Sequence, residues 1–205
     1  CYARKITGLE LKDGTKLIAP KLIVTTGTFL QGLMHCGKSQ VKGGRVGENA
    51  SYELAHSLLD LGFTLGRLKT GTCPRLDSKT INWKKTTPQE DLFPNGRFSF
   101  TLKDREIEQR NCYIAYTNDK THEIISDNLD KSPMFSGQII GRGPRYCPSI
   151  EDKIVRFTDR KRHLLFLEPE GLQTDRVYVN GLSTSLPKEV QLKMVHSIEG
   201  LEKAA

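Results

Sequence analysis

Apolar and polar positions alternate at the start of the chain in the manner of paired strands: Lys5-Ile6-Thr7-Gly8-Leu9-Glu10-Leu11, a turn at Asp13-Gly14, then Lys16-Leu17-Ile18-Ala19. This pattern predicts a hairpin. Leu22-Ile23-Val24 is a short apolar run of the kind that forms a buried strand, and it stops at Thr25-Thr26-Gly27-Thr28, where small residues admit a close backbone or ligand. A helix is predicted over 51–61, capped by Ser51, with Leu54, Ala55, Leu58 and Leu59 as its buried stripe and Gly62 at its end. Further strand-like runs fall at 97–101, 112–117, 138–140, 163–167 and 177–179, with a short helix over 121–129 capped by Thr121 or a polar neighbour. In the last segment, 187–203, Val190, Met194, Ile198 and Leu201 recur at helical spacing and Pro187 suits a first turn, which predicts an amphipathic helix packed on the core.

The intervening stretches are loops by composition. Gly37, Gly43, Gly44 and Gly47 surround Arg45, a pattern equally suited to holding an anion and to an ordinary turn-rich connection. Residues 67–75 are basic and hydroxyl-rich, and Gly71 and Pro74 argue against a regular element there; the segment suits the wall of a phosphate-binding cleft. The polar, Pro-punctuated stretch 77–95 predicts a surface excursion. Taken together the elements predict a mixed α/β chain with an antiparallel sheet in its second half.

Composition narrows the function. Over 205 residues, 37% are hydrophobic and 27% charged, and no apolar run approaches the roughly 18 residues of a membrane span. The net charge of +7 favours polyanionic partners, although a basic surface also serves solubility alone. The five cysteines are odd in number and form no C-x-x-C pair, which argues against a disulfide framework or zinc ribbon and for a reducing, cytoplasmic compartment. The histidines are scattered, so no metal site is expected. The chain opens Cys1-Tyr2-Ala3-Arg4-Lys5, without an initiator Met or a secretory leader, and so reads as an internal piece of a longer protein.

The most informative stretch is Gly141-Arg142-Gly143-Pro144-Arg145-Tyr146-Cys147-Pro148-Ser149-Ile150-Glu151-Asp152-Lys153. It follows Ile139-Ile140 and leads into a predicted helix with Ser149 as cap and Asp152 as its capping-box partner. A strand, a glycine-bearing loop and a helix start suit pyrophosphate, but only Gly141-x-Gly143 of the dinucleotide fingerprint is present, and Glu151 and Asp152 put negative charge where phosphate would sit. Cys147, between Arg145 and a helix N-terminus, has the surroundings of a reactive thiol, although a lone cysteine is more often a small buried hydrophobe. Arg142, Arg145, Arg156, Arg160, Lys161 and Arg162 surround this loop, either as phosphate contacts or as a solvated helix face.

These motifs together resemble the tRNA uridine 5-carboxymethylaminomethyl modification enzymes, the MnmG or GidA family. The resemblance rests on Thr25-Thr26-Gly27-Thr28-Phe29-Leu30, Gly43-Gly44-Arg45, Gly66-Arg67-Leu68-Lys69-Thr70-Gly71-Thr72, Thr117-Asn118 and Thr121-His122. It continues through Asn128-Leu129-Asp130-Lys131-Ser132-Pro133-Met134, the Gly143 to Lys153 string, Phe166-Leu167-Glu168-Pro169-Glu170-Gly171, and Asn180-Gly181-Leu182-Ser183-Thr184-Ser185-Leu186-Pro187. It implies part of a doubly wound FAD-binding domain of the glutathione-reductase type, with an inserted mixed α/β lobe containing antiparallel strands. The division it suggests is 1–68 in the FAD domain, 69–175 in an inserted lobe facing nucleotide and tRNA, and 176–205 returning to the FAD domain with a terminal helix.

The resemblance further implies an enzyme that uses FAD, NAD(H) and methylenetetrahydrofolate, works with an MnmE-type GTPase on tRNA, and forms a homodimer. It places Thr26, Gly27 and Ser51 near FAD. The run Gly143, Pro144, Arg145, Tyr146, Cys147, Pro148, Ser149, Ile150, Glu151, Asp152, Lys153, Ile154, Val155, Arg156 and Phe157 falls in the region assigned to NAD, and Cys147 matches a cysteine proposed to act in catalysis. Arg67, Lys69, Arg75, Arg142 and Arg145 are expected to meet tRNA phosphate. Two departures are expected from the resemblance, the absence of the family's N-terminal Gly-x-Gly-x-x-Gly and of its C-terminal helical region, and Cys73 also stands where the family usually has Pro. A docking lobe without chemistry of its own, or a folate- and FAD-dependent tRNA uracil methyltransferase relative, stay open beside the catalytic reading.

Overall fold

A computed structural model describes residues 5–45, 47–90, 108–141, 143 and 147–205. The expected strand at 97–101 lies outside the described residues, as do Arg142, Pro144, Arg145 and Tyr146. The chain divides into two compact units, one made of Cys1–His35 with Ser39–Gly66, the other of Cys36–Lys38 with Arg67–Ala205.

In the first unit, β1 (Gly8–Glu10) and β2 (Lys16–Ile18) pair antiparallel in the predicted hairpin, Gly8 opposite Ile18 and Glu10 opposite Lys16. Its turn is held by Leu11 N–H on the Thr15 carbonyl at 2.8 Å and by Thr15 N–H on Asp13 Oδ1 at 2.9 Å. A second pair, β3 (Leu33–Cys36) and β4 (Ser39–Lys42), follows. The run Leu22-Ile23-Val24, predicted as a buried strand, has no strand partner among the described residues, and Ile23 is 86% exposed. A buried strand needs neighbours on both edges, and the described residues of this unit form only two-stranded pairs.

The helix α1 (Glu53–Asp60) begins two residues later than expected, after Tyr52 and without a side-chain cap. Ser51 is occupied elsewhere: its N–H bonds the Phe29 carbonyl at 2.8 Å and its carbonyl accepts from Gln31 N–H at 3.1 Å, forming a parallel bridge with Leu30. Of the predicted stripe only Ala55 is fully buried, while Gly62 closes the helix at a φ of 87° that favours glycine.

The second unit carries a five-stranded antiparallel sheet. Its strands are β5 (Arg75–Asp77), β6 (Thr87–Gln89), β7 (Cys112–Tyr116), β8 (Leu164–Pro169) and β9 (Arg176–Asn180), in the order β5-β9-β8-β7-β6. Register puts Tyr113 and Val179 opposite Leu167, Ala115 opposite Leu165 and Leu76 opposite Val177, so these side chains share one face. That face packs against α2 (Asp119–Ser126), α3 (Ile150–Arg156) and α4 (Lys188–His196) through Ile125, Ile150, Ile154, Val190 and Met194 in one apolar cluster. Full burial of each such side chain contributes about 1.5–3 kcal/mol.

Three sequence expectations are corrected here. The stretch 77–95, read as a surface excursion, keeps most of its described residues exposed but is pinned to the core: Ile81 is buried and Trp83 packs on Tyr113 with ring centres 4.5 Å apart. Two apolar anchors two residues apart outweigh the polar composition around them. The run at 138–140 forms no strand, and Ile140 is 86% exposed just beyond Gly137, whose φ of 82° turns the backbone away. The last helix ends at His196, yet Val190, Met194, Ile198 and Leu201 are all buried as their spacing predicted.

A candidate active site around Cys147

The segment after Cys147 is fixed by its own side chains. Ser149 Oγ accepts from Asp152 N–H at 3.1 Å, and an Asp152 carboxylate oxygen accepts from Ser149 N–H at 3.2 Å, closing the capping box read from the sequence. Ile150 N–H bonds the Ser183 carbonyl at 2.7 Å. Beside it Glu151 is wholly buried; its Oε1 accepts from Thr184 Oγ1 at 2.9 Å, Ser132 Oγ at 3.1 Å and Ser185 N–H at 3.2 Å. Glu151 therefore works as a rivet joining the start of α3 to the segments around Ser132 and Thr184.

Residues 67–75 supply the opposing wall. Thr72 and Thr184 exchange N–H to carbonyl bonds of 3.2 and 3.1 Å, and a Cβ on Gly71 would stand 2.6 Å from Thr184 N, so only glycine allows this approach. The result is that Thr70 Oγ1 lies 3.0 Å from the exposed Cys147 Sγ. Lys153, on α3, donates from Nζ to the Gly181 carbonyl at 3.0 Å. Burial pulls its ammonium below the ordinary lysine range, opposed by the neighbouring Cys73 and Cys147. Cys73 is buried, and burial pushes its thiol up. The Tyr178 phenol is pushed up to about 12, first by burial and then by its hydrogen bond with Cys73.

The other expected site residues fall as follows. In the first unit Thr26, Gly27 and Ser51 meet around Phe29, whose N–H bonds the Thr26 carbonyl at 3.0 Å and whose carbonyl takes Ser51 N–H. Gly27 has a φ of 54° with open space where a Cβ would stand, and Thr26 lines a cleft of about 200 Å³ with Leu9, Val24 and Leu54. Along 143–157, Ser149, Ile150, Glu151 and Ile154 are buried in the interior, which removes their side chains from any nucleotide contact. Cys147, Val155, Arg156 and Phe157 remain exposed and Pro148 and Lys153 half-buried.

Among the residues expected on tRNA phosphate, Arg75 is already engaged. Its Nε pairs with Glu170 at 2.9 Å, its Nη1 donates to the Cys73 carbonyl at 2.9 Å, and its guanidinium lies 4.6 Å from the Tyr178 ring centre. Lys69 Nζ donates to the Met134 carbonyl at 3.1 Å. Arg45, read as a possible anion holder, is paired with Glu48.

The sequence profile of the family described as glucose inhibited division protein A matches residues 2–205. The chain belongs to the GidA family. It is 52% identical over 202 residues to the tRNA uridine 5-carboxymethylaminomethyl modification enzyme MnmG of Rhodopirellula baltica, covering 98% of this chain and 31% of that protein. The MnmG of Borreliella burgdorferi is 49% identical over 203 residues, covering 98% and 32%. The solved structure of Aquifex aeolicus GidA superposes with a TM-score of 0.84 at 45% identity, covering all of this chain and 35% of that one. The chain thus spans about a third of the length of these relatives. Its mixed α/β architecture with antiparallel strands is that of a GidA segment.

Within this GidA segment, Thr70 and Lys153 sit inside the family's motifs, but nothing in the sequence places either beside the thiol. A hydroxyl in a Thr-Gly-Thr run carries no signal of its partner. Lys153 falls six residues after Cys147, a spacing that becomes informative only once α3 is known to start at Ile150.

Proposed function

We propose that this chain supplies the reacting-thiol segment of an FAD-dependent enzyme that installs the carboxymethylaminomethyl group on the wobble uridine of tRNA. The observation that carries the reading is Cys147, exposed and 3.0 Å from Thr70, in a chain about half identical to enzymes of that name. A uracil ring carbon becomes nucleophilic only after a nucleophile has added across the ring, and a thiolate suits that reversible addition. The Cys147 sulfur would bond to the ring and leave again once the new carbon bond is made, the ring carbon losing its proton. Thr70 fixes the direction of the sulfur.

Bound FAD, reduced by NAD(H), would supply the redox chemistry, with methylenetetrahydrofolate as the one-carbon donor. The residues offered to flavin are Thr26, Gly27 and Ser51, and those offered to NAD narrow, among the described residues, to Gly143, Cys147, Pro148, Asp152, Lys153, Val155, Arg156 and Phe157 on accessible surface. In the whole protein we assign 1–68 to the FAD domain, 69–175 to the inserted lobe and 176–205 to the return segment, and infer a cytoplasmic homodimer working with an MnmE-type GTPase. The test is modified-uridine formation by full-length Cys147→Ser and Cys147→Ala proteins first shown to bind FAD and tRNA as the wild type does. Turnover should fall by at least about a hundredfold in both. Activity near wild type in either removes the thiol from the chemistry and leaves the segment as a docking lobe.

A further inference from the structure

The turn that follows α3 carries an unused group of cations. Arg160 N–H closes the turn on the Phe157 carbonyl at 3.0 Å, and Arg160, Lys161 and Arg162 are all exposed. Among the described residues none of the three makes an ion pair; a neighbouring one, Arg156 with Asp152 at 3.4 Å, lies one helical turn earlier. They line a cleft of about 810 Å³ that also takes in Tyr116, Phe157, Lys153 and Pro148. Four cationic side chains face a single carboxylate there, Asp159. Tyr116 and Phe157 are 37% and 48% exposed, and the Arg162 guanidinium stacks 4.1 Å from the Tyr116 ring centre.

We infer that this cleft is the RNA-strand subsite of the second unit, holding phosphates on Arg160 and Lys161 and a base against the exposed ring of Phe157, with NAD and RNA using Pro148, Lys153 and Phe157 in turn. Free cations supply the salt-dependent attraction to phosphate, and exposed ring faces supply stacking that any base can use. Pro148, which lines the cleft, directly follows Cys147 in the chain, so the cleft adjoins the thiol-bearing segment. Of the cations first expected to meet RNA, Arg75 and Lys69 are a poorer choice, because they are spent on Glu170 and on the Met134 carbonyl.

This inference rests on the proposed action on tRNA, and the experiment separates the two. In the full-length protein, the affinity for tRNA and its salt dependence are measured for wild type, Arg160→Ala with Lys161→Ala, Phe157→Ala, Phe157→Tyr, and a charge-matched control, Lys12→Ala with Lys21→Ala. The Arg160/Lys161 variant should bind about tenfold more weakly at moderate salt and lose about one to two units of salt slope. Phe157→Ala should lose about tenfold with the slope unchanged, and Phe157→Tyr should restore it. Wild-type affinity and slope in the Arg160/Lys161 variant, or an equal loss in the control, overturns the subsite while the tRNA reading stands. Weakened binding of ADP-ribose with unchanged tRNA binding reassigns the cleft to a small nucleotide and likewise overturns it. A wild-type protein that fails to bind tRNA overturns both.

Discussion

At the scale of single residues, the cysteines are the sharpest test of the site. Cys36 and Cys147 are exposed, whereas Cys73 is buried and burial raises its thiol; Cys112 is half-buried and raised in the same way. Alkylation with a small maleimide near pH 7.5, followed by peptide mapping, should therefore label Cys36 and Cys147 at least about tenfold faster than Cys73. Fast labelling of Cys73 would contradict its packing beneath Tyr178. Gly71 gives a second test, because its Cβ would meet the backbone of Ser183 and Thr184 at 2.6–3.0 Å. Gly71→Ala must shift one strand, so we expect a loss of about 1–3 kcal/mol in urea unfolding and a displaced Thr70. Arg75→Ala should cost about 1 kcal/mol of stability, since its half-buried ion pair with Glu170 and its stacking on Tyr178 both disappear.

At the scale of elements, what could be read from the sequence was whatever depends on neighbours in the chain. The capping box of Ser149 and Asp152, the turn at Asp13-Gly14 and the buried spacing of Val190, Met194, Ile198 and Leu201 are all local patterns, and all are present. Where the decisive partner is distant the sequence is silent. Ser51 is drawn from capping α1 by the backbone of Phe29 and Gln31, Leu22-Ile23-Val24 finds no strand to pair with among the described residues, and Glu151 reads as helix-start charge until Ser132, Thr184 and Ser185 are seen around it. The same distinction applied to the site: Cys147 could be singled out from its flanks, but its contact with Thr70 spans 77 positions. An element-level prediction follows from the caps. Ser149→Ala should cost about 1 kcal/mol in denaturant unfolding, within a usual range of about 0.5–2, and Ser149→Asp, which keeps an acceptor, should recover much of it. An unchanged midpoint in Ser149→Ala would mean that the Ile150 bond to Ser183 and the Glu151 rivet hold α3 without its cap.

At the scale of the whole molecule, stability should respond to pH in two separable windows. His122 and His163 lie with ring centres 5.3 Å apart, and Thr117 Oγ1 joins them, 2.8 Å from His122 Nε2 and accepting from His163 N–H at 2.8 Å. Both histidines titrate below their ordinary 6.5; burial is the main cause, opposed at His122 by Asp119 and reinforced at His163 by His122, Lys153 and Arg160. As pH falls through 6.5 the unfolded chain takes up protons that the folded one refuses, so the stability these rings contribute is full above that value and is lost below it. The loss ends once the folded histidines have themselves titrated. A second window comes from Asp175 and Glu202, held below 3.8 and 4.5 by hydrogen bonds from Lys79 and Lys85; it opens only as pH falls through those values, and is weak because the groups are exposed. The melting temperature should therefore fall between pH 7.5 and 5.5 while the carboxylates stay ionised, and His122→Gln with His163→Gln should flatten that step and leave the one below pH 4.5. An undiminished slope between pH 7.5 and 5.5 in the double variant would show that another group takes up the proton.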